Sequence, residues 1–479
     1  MGHGHPTRSL TGQPLPGPRT SSRPPSCKKH SVSTTSRGIV IAGGGLAAVR
    51  TAEQLRKSGY QGPVVVVSDE QHLPYDRPPL SKDVLNDSGK GVGDVIADVT
   101  LKPAEFYSDN DIALLRGAAA GSLDTAARTV TLADGMVLDY DELVIATGLV
   151  PKRIPSFPDL AGIRVLRSMD DALDLREHAA SARRAVIIGA GFIGCEVAAS
   201  LRKLGVDVVL VEPQPAPLAG VLGQRIGELV ARLHRAEGVD VRTGVGVAEV
   251  FGTGGQERSD SGEEHGGQER SDSGEEHGGQ ERSDSGGEHG GQERSDSGEE
   301  NRDHVAAVEL TDGSVIDADL VVVGVGSRPA TDWLVGSGVS LDNGVLCDEV
   351  GRTSEPHVWA LGDVASWRDA GGHQVRVEHW SNVADQARVL VSAMLGQDAP
   401  SVVVVPYFWS DQYDVKIQCL GEPQAGDEVH VVEDDGRKFL AYYERDGVLT
   451  GVVGGGMPGK VMKARAKIAA GAPISDVLG

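Results

Sequence analysis

The chain has little of what several protein classes depend on. Aromatic residues make up only 4% of its 479 residues. Its four cysteines, Cys27, Cys195, Cys347 and Cys419, lie far apart with no C-x-x-C pair. That spacing excludes a disulfide-stapled secreted module and cannot assemble a zinc or iron–sulfur site; it fits reduced thiols in a cytoplasmic protein, with no bound metal expected. No apolar run approaches the roughly eighteen residues of a membrane-spanning helix, so no membrane association is expected. Basic residues are outnumbered by acids, 46 against 69, for a net charge of −23. Residues 1–37 carry +6 and residues 254–301 carry −11, which leaves −18 on the remainder. A body of that sign repels phosphate backbones, which argues against a nucleic-acid partner.

Val, Ile, Leu and Ala recur in short runs, and 39% hydrophobic residues is too many for a disordered chain. The length predicts about three domains. Residues 1–37, rich in Pro, Ser, Gly and Arg, lack the apolar stretch of a secretory signal and read as a disordered tail. An organelle-targeting peptide is the alternative, against which the Pro and Gly content speaks. Residues 254–301 are four tandem copies of GGQERSDSGEEH, with Gly287 replacing a Glu in the third and Asn301 ending the fourth. Stacked repeats need an apolar face to bury, and this unit has none, so it predicts a solvated, self-repelling loop. With that insertion removed, segments 241–250, 304–310 and 313–326 read as a β-meander interrupted at one turn. Elsewhere short β-branched strands (38–42, 64–67, 185–189, 208–212, 320–324) alternate with amphipathic stretches such as 47–57 and 192–204, a pattern that predicts parallel α/β sheets.

Two of these strands run into glycine turns that open a helix. The first is Gly43-Gly44-Gly45-Leu46-Ala47-Ala48 and the second Gly189-Ala190-Gly191-Phe192-Ile193-Gly194. In each, the first glycine permits a tight turn and the second lets backbone approach a pyrophosphate. The last small residue lets helix pack on strand, with the helix N-terminus facing the negative charge. Two such turns in one chain predict two nucleotides. Glu212, 23 residues after Gly189, is placed to hold ribose hydroxyls and to repel a 2′-phosphate, which predicts NADH over NADPH at the second turn. Asp69 or Glu70 serves the first turn, although Ser68 occupies the strand end.

With these motifs the sequence resembles the flavin-dependent pyridine-nucleotide oxidoreductases. Within them it is similar to the NADH-dependent ferredoxin reductases that include the putidaredoxin, rhodocoxin and biphenyl-dioxygenase reductases. The resemblance covers roughly residues 38–470 apart from the insertion. It is carried in order by Pro74-Tyr75-Asp76-Arg77-Pro78-Pro79-Leu80-Ser81-Lys82, Ala146-Thr147-Gly148, Ala360-Leu361-Gly362-Asp363-Val364, Glu378-His379-Trp380-Ser381-Asn382 and Trp409-Ser410-Asp411-Gln412. It implies an α/β fold: two Rossmann-like, glutathione-reductase-like domains for FAD and NAD plus a small α+β C-terminal domain. The FAD-binding domain would be discontinuous, 38–151 and 328–400, around an NAD-binding domain at 152–327, with the C-terminal domain at 401–479. It further implies that Asp363, beside Gly362, holds the ribityl or pyrophosphate region of FAD, and that Arg77 and Lys82 contact the cofactor. Lys152 stands where many relatives have Arg, which keeps the charge but loses the bidentate fork. Gly326 joins the cofactor-binding positions, and Glu378 is a candidate for the nicotinamide amide or ribose.

Relatives that reduce disulfides pass electrons through a redox-active dithiol, which is missing here, so electrons must leave from the flavin directly. Cys195, inside the second motif's helix, is expected to pack. Nicotinamide delivers a hydride and a ferredoxin accepts single electrons, and flavin converts one into the other. The resemblance brings Lys82 and Glu196 together beside the flavin ring, the cation stabilising incoming negative charge and the carboxylate positioning the cation. It sets Trp380 and Trp409 at the flavin face. Lys460, Lys463, Arg465 and Lys467 read as one helical basic stretch able to dock an acidic ferredoxin. Readings that share the cofactors are a rubredoxin or monodehydroascorbate reductase and a redox-responsive flavoprotein of the apoptosis-inducing type.

Overall fold

The computed structural model describes residues 1–2, 37–86, 89–254, 303–398 and 405–478. The N-terminal tail and nearly all of the acidic repeat lie outside the described residues. The first five-stranded sheet is parallel, in the order Val358–Ala360, Glu142–Ile145, Ile39–Ala42, Val64–Ser68, Ile112–Arg116. Every residue of Ile39–Ala42 is buried, because parallel strands are covered on both faces. Val40 and Ala42 point into one core and Ile39 and Ile41 into another, the alternation a strand imposes. Val358–Ala360 comes after the strands of the second sheet in the chain and pairs in parallel with Glu142–Ile145 in this one.

The second parallel sheet runs Asp240–Thr243, Asp207–Glu212, Arg184–Ile188, Leu320–Val323, Ile163–Arg164. The meander expected around the insertion is present, but its ends differ from the sequence reading. Segment 241–250 divides at Gly244, whose φ of +72 turns the chain. The part before it extends the parallel sheet, and Val247–Gly252 begins the meander with Val305–Leu310 and Val315–Asp317. Segment 313–326 divides likewise, Leu320–Val323 pairing in parallel with Arg184–Ile188. The two ends of the insertion therefore meet across a hairpin. Thr253 N–H donates to the His304 carbonyl at 2.8 Å, and Gly254 N–H to the Asp303 carboxylate at 2.8 Å.

The C-terminal unit is an antiparallel sheet in the order Tyr407–Gln412, Val415–Gly421, Val448–Gly455, Phe439–Arg445, Glu428–Asp434, followed by three short helices. One face of this sheet (Ile417, Phe439, Tyr443, Val453) shares a continuous core with Leu201, Leu222 and Ile226 on helices Phe192–Lys203 and Ala219–Ala236. The Tyr443 hydroxyl donates to the Leu222 carbonyl at 2.8 Å. Fully burying a side chain of this size contributes about 1.5–3 kcal/mol, so this core seats the C-terminal sheet firmly on the second nucleotide unit.

Candidate functional site

Strand Ile39–Ala42 ends at Gly43, whose φ of +131 suits glycine; a Cβ there would stand 2.1 Å from the Ala146 carbonyl oxygen. At Gly45 a Cβ would meet open space. Helix Leu46–Lys57 begins there with no side-chain cap and no acid in its first turn. The second turn repeats the pattern. A Cβ on Gly189 (φ +98) would lie 2.5 Å from the Gly324 carbonyl oxygen, the space at Gly191 is open, and helix Phe192–Lys203 is uncapped and acid-free in its first turn. By contrast, helix Met169–Ser181 satisfies its N-terminus with a Ser168–Asp171 capping box and two acids. Two helix N-termini left with free N–H groups and an open approach fit two pyrophosphates. A Cβ on Gly194 would meet the Gly189 carbonyl oxygen at 2.0 Å, whereas Ala48 fits fully buried in the corresponding place of the first turn.

Around the first turn the structure gathers residues from distant segments. The Gly362–Val364 turn lies against the first helix, a Cβ on Gly362 reaching 3.0 Å from the Ala47 Cβ. Gly362 N–H is held by Gln386 Oε1 at 2.9 Å. This sets the Asp363 carboxylate 3.9 Å from Arg167 Nη2. Burial pushes the Asp363 pKa up, against the pull of Arg167. Arg167 lies beside Gly148, and burial, reinforced by the neighbouring Arg77, brings its pKa down to about 10. Arg77 donates to Glu70 at 2.7 Å, to the Arg167 carbonyl at 2.6 Å and to the Tyr75 hydroxyl at 3.2 Å. Glu70 is thus engaged by Arg77 and Tyr75, and Asp69 next to it is exposed. Thr147 Oγ1 donates to the Ala330 carbonyl at 2.8 Å. Lys152 is exposed, its N–H bonded to the Gly326 carbonyl at 3.0 Å; Arg167, which sequence reasoning missed, is the cation drawn to Gly148 and Asp363.

Lys82 and Glu196, 114 residues apart, form a buried ion pair at 2.7 Å, with side chains only 14% and 4% exposed. Lys82 Nζ also donates to the Pro78 carbonyl at 2.8 Å and lies 3.3 Å from Ser81 Oγ. Glu196 Oε2 accepts a second bond from Ser81 Oγ at 2.5 Å, and Oε1 accepts from Ser410 Oγ at 2.8 Å. One carboxylate therefore ties together the first unit, the second unit's helix and the C-terminal strand Tyr407–Gln412. Trp380 Nε1 donates to Asp76 Oδ1 at 2.7 Å, and its ring meets Trp409 edge-on at 6.0 Å. Trp409 in turn stacks on Tyr407 at 5.9 Å. Trp380 is 39% exposed, so the aromatic group reaches the surface. Glu378 pairs with Arg376 at 2.5 Å, and Arg376 also donates to the Asp363 carbonyl at 3.0 Å.

At the second turn Glu212 accepts from Ala190 N–H at 2.7 Å and from Gln214 N–H at 3.0 Å, which places its carboxylate on the glycine turn itself. Phe192 packs edge-on against Phe408 at 5.1 Å, whose other neighbour is His379, while Ile193 stays exposed. Cys195, Cys347 and Cys419 are buried and unpaired, and burial pushes the Cys195 thiol pKa far up, so it packs rather than reacts. Cys27 lies outside the described residues. The basic stretch is broken at Ala464 into Pro458–Lys463 and Arg465–Ala469. Lys460 is paired with Glu433, whereas exposed Lys467 donates only to the neutral Asp476 carbonyl and keeps its charge, so Lys463, Arg465 and Lys467 of the four are left for a partner. Among the described residues no helix is long and apolar enough to cross a membrane.

The family model for pyridine nucleotide-disulphide oxidoreductases matches residues 37–271 and 292–387, breaking within the repeat, and a reductase C-terminal model matches 407–478. A ferredoxin–NAD(P)+ reductase of Sphingomonas is 34% identical over 414 residues, 85% of this chain and 87% of that protein. Rhodocoxin reductase of Rhodococcus erythropolis is 32% identical, covering 91% and 90% respectively. Among solved structures, a ferredoxin reductase from Rhodopseudomonas palustris aligns with a TM-score of 0.77 at 30% identity, over 91% of this chain and 95% of that one.

Proposed function

Because the chain belongs to the pyridine nucleotide-disulphide oxidoreductase family, we propose that it is an FAD-dependent NADH:ferredoxin oxidoreductase serving a monooxygenase or dioxygenase. The observation that carries this reading is two open, uncapped, acid-free glycine turns in one chain whose described cysteines are all buried and unpaired. Electrons then have no dithiol to pass through and must leave for an external acceptor, which the relatives' names give as a ferredoxin. Reduced thiols suit the cytoplasm.

Bound FAD supplies the conversion of a hydride donor's electron pair into single electrons. This chain's residues do the rest. Gly43, Gly45 and the first N–H groups of Leu46, Ala47 and Ala48 hold the FAD pyrophosphate, with Gly362 and Asp363 closing over them. Arg77 fixes the proline-stiffened loop that delivers Lys82. Gly189, Gly191 and Gly194 seat the NAD pyrophosphate, and Glu212 disfavours a 2′-phosphate by like charge. Lys82 keeps one N–H weakly engaged, 3.3 Å from Ser81, and we assign that N–H to the flavin ring, where a fixed cation favours arriving negative charge. Trp380 and Trp409 shield the flavin edge and form the face from which electrons leave.

The test is a yellow, FAD-loaded preparation reduced by NADH and assayed for cytochrome c reduction with and without added ferredoxin. Turnover that depends on ferredoxin is expected; a colourless protein that takes up no FAD, or turnover indifferent to ferredoxin, refutes the reading. In stopped flow, Lys82→Ala is expected to slow flavin reduction by NADH at least tenfold, and an unchanged rate removes the pair from the mechanism.

A further inference from the structure

The hydrogen bonds on Glu196 continue inward, and their direction follows from chemistry alone. An ionised carboxylate only accepts, so Ser410, 2.8 Å from Glu196 Oε1, must donate its hydroxyl proton there. Ser410 Oγ is then the acceptor of its other bond, at 3.2 Å, which must come from the Gln412 amide nitrogen. That turns Gln412 Oε1 toward His234 Nε2 at 3.0 Å, and the ring must donate from Nε2. His234 is fully buried, and burial holds its pKa down to about 4, so the ring is neutral and its bare Nδ1 accepts from the Tyr413 hydroxyl at 2.9 Å. Tyr413 is fixed in turn, with a φ of +59 at the hairpin tip and its carbonyl accepting from Lys203 Nζ at 3.0 Å. Four bonds thus run one way, from Tyr413 through His234, Gln412 and Ser410 to Glu196, along the seam where helices Ala219–Ala236 and Phe192–Lys203 meet strand Tyr407–Gln412 and its hairpin tip.

We propose that His234 and Gln412 are positioning residues for the Lys82–Glu196 pair, a buried relay that commits the Ser410 proton to Glu196 and so holds the carboxylate with its other oxygen on Lys82. Neither touches the cofactor sites. Without the His234 donor the Gln412 amide is free to turn over and present its oxygen to Ser410. The hydroxyl then swings its proton away from Glu196, which is left with one donor fewer and a looser grip on Lys82. The inference rests on the reading that Lys82 acts beside the flavin, and the experiment separates the two.

In the FAD-loaded protein, His234→Phe and Gln412→Met are expected to slow flavin reduction by NADH about tenfold, with little change in NADH affinity, and to make the flavin midpoint potential more negative. His234→Gln, whose amide supplies a donor and an acceptor, is expected to recover most of the rate. Histidine-labelled wild-type protein is expected to show His234 by NMR as the neutral Nε2–H tautomer from pH 5 to pH 8. Equal loss in His234→Phe and His234→Gln would reduce the role to packing and overturn the relay, as would an Nδ1–H or cationic ring. If Lys82→Ala slows reduction while Gln412→Met does not, the relay fails alone. If Lys82→Ala has no effect, the reading beneath it fails as well.

Discussion

The acidic repeat offers a sharp test of how separable it is from the fold around it. Residues 255–302 enter and leave at one point: Thr253 and His304 are hydrogen-bonded neighbours, and Gly254 already touches Asp303. Joining Gly254 directly to Asp303 therefore asks only for a two-residue Gly-Asp hairpin loop, a turn in which Gly at the first position is favoured. If the 48 excised residues are the solvated loop their composition predicts, closing them has an entropic cost that grows as about (3/2)RT ln n. Shortening the loop to a handful of residues then stabilises the hairpin by about 2 kcal/mol. The net charge falls from −23 to −13, which lowers self-repulsion as well. The excised protein is expected to bind FAD normally, to oxidise NADH with wild-type kcat and KM, and to unfold a few degrees higher in a thermal melt followed by flavin fluorescence. Loss of FAD binding, a lower melting temperature or more than a twofold fall in kcat/KM would refute the reasoning, because each would require the repeat to contact the folded body.

Two further outcomes follow from single side chains. Glu212→Ser removes the like charge facing a 2′-phosphate, so the ratio of kcat/KM for NADH to that for NADPH is expected to narrow at least tenfold, about 1.4 kcal/mol; an unchanged ratio in steady-state assays would show that Glu212 does not set cofactor choice. His234 titrates near 6.5 in an unfolded chain and at about 4 when buried here. Between those values the unfolded state binds a proton that the folded state refuses, so stability drops as pH falls through that window, by up to about 3 kcal/mol. His234→Gln lacks this term, and in urea unfolding the stability gap between wild type and variant is expected to narrow by that amount from pH 7.5 to pH 4.5; parallel pH dependence would contradict a neutral buried ring.

Much of the architecture was legible because its signals are local. A strand covered on both faces must be apolar throughout, which is why 38–42 and 185–189 stand out, and a turn pressed against a carbonyl oxygen admits only glycine, which is why Gly43 and Gly189 do. The meander was legible in outline but not at its ends, since the turn that hands the chain from one sheet to another is marked only by Gly244 and Gly246 within an otherwise strand-like run. Arg167 was invisible for a different reason. It precedes a helix cap, an unremarkable place in the sequence, and gains its role only when Asp363, almost two hundred residues later, folds onto it. Glu70 illustrates the converse: its type and position suggest a ribose ligand, yet Arg77 and Tyr75 already occupy it.

Glu196 shows why the three units act as one. It stands two residues beyond Gly194, on the helix whose N-terminus offers its free N–H groups at the second turn. That helix packs so closely on the turn before it that a Cβ added at Gly194 would lie 2.0 Å from the Gly189 carbonyl oxygen. The helix buries Leu201 in the core that the second unit shares with the C-terminal sheet, while Glu196 reaches Lys82 in the first unit and Ser410 in the third. A carboxylate kept buried without its ammonium destabilises a fold by about 3–5 kcal/mol, so the first unit holds Glu196 in place through Lys82, while the C-terminal unit holds it through the Ser410 hydroxyl. The ion pair thus couples the docking of the first unit on the second to the relative placement of the two glycine turns. Any movement of the second unit against the first must either carry Lys82 with it or break the pair, and any movement against the C-terminal strand must carry Ser410 or break its bond to the same carboxylate.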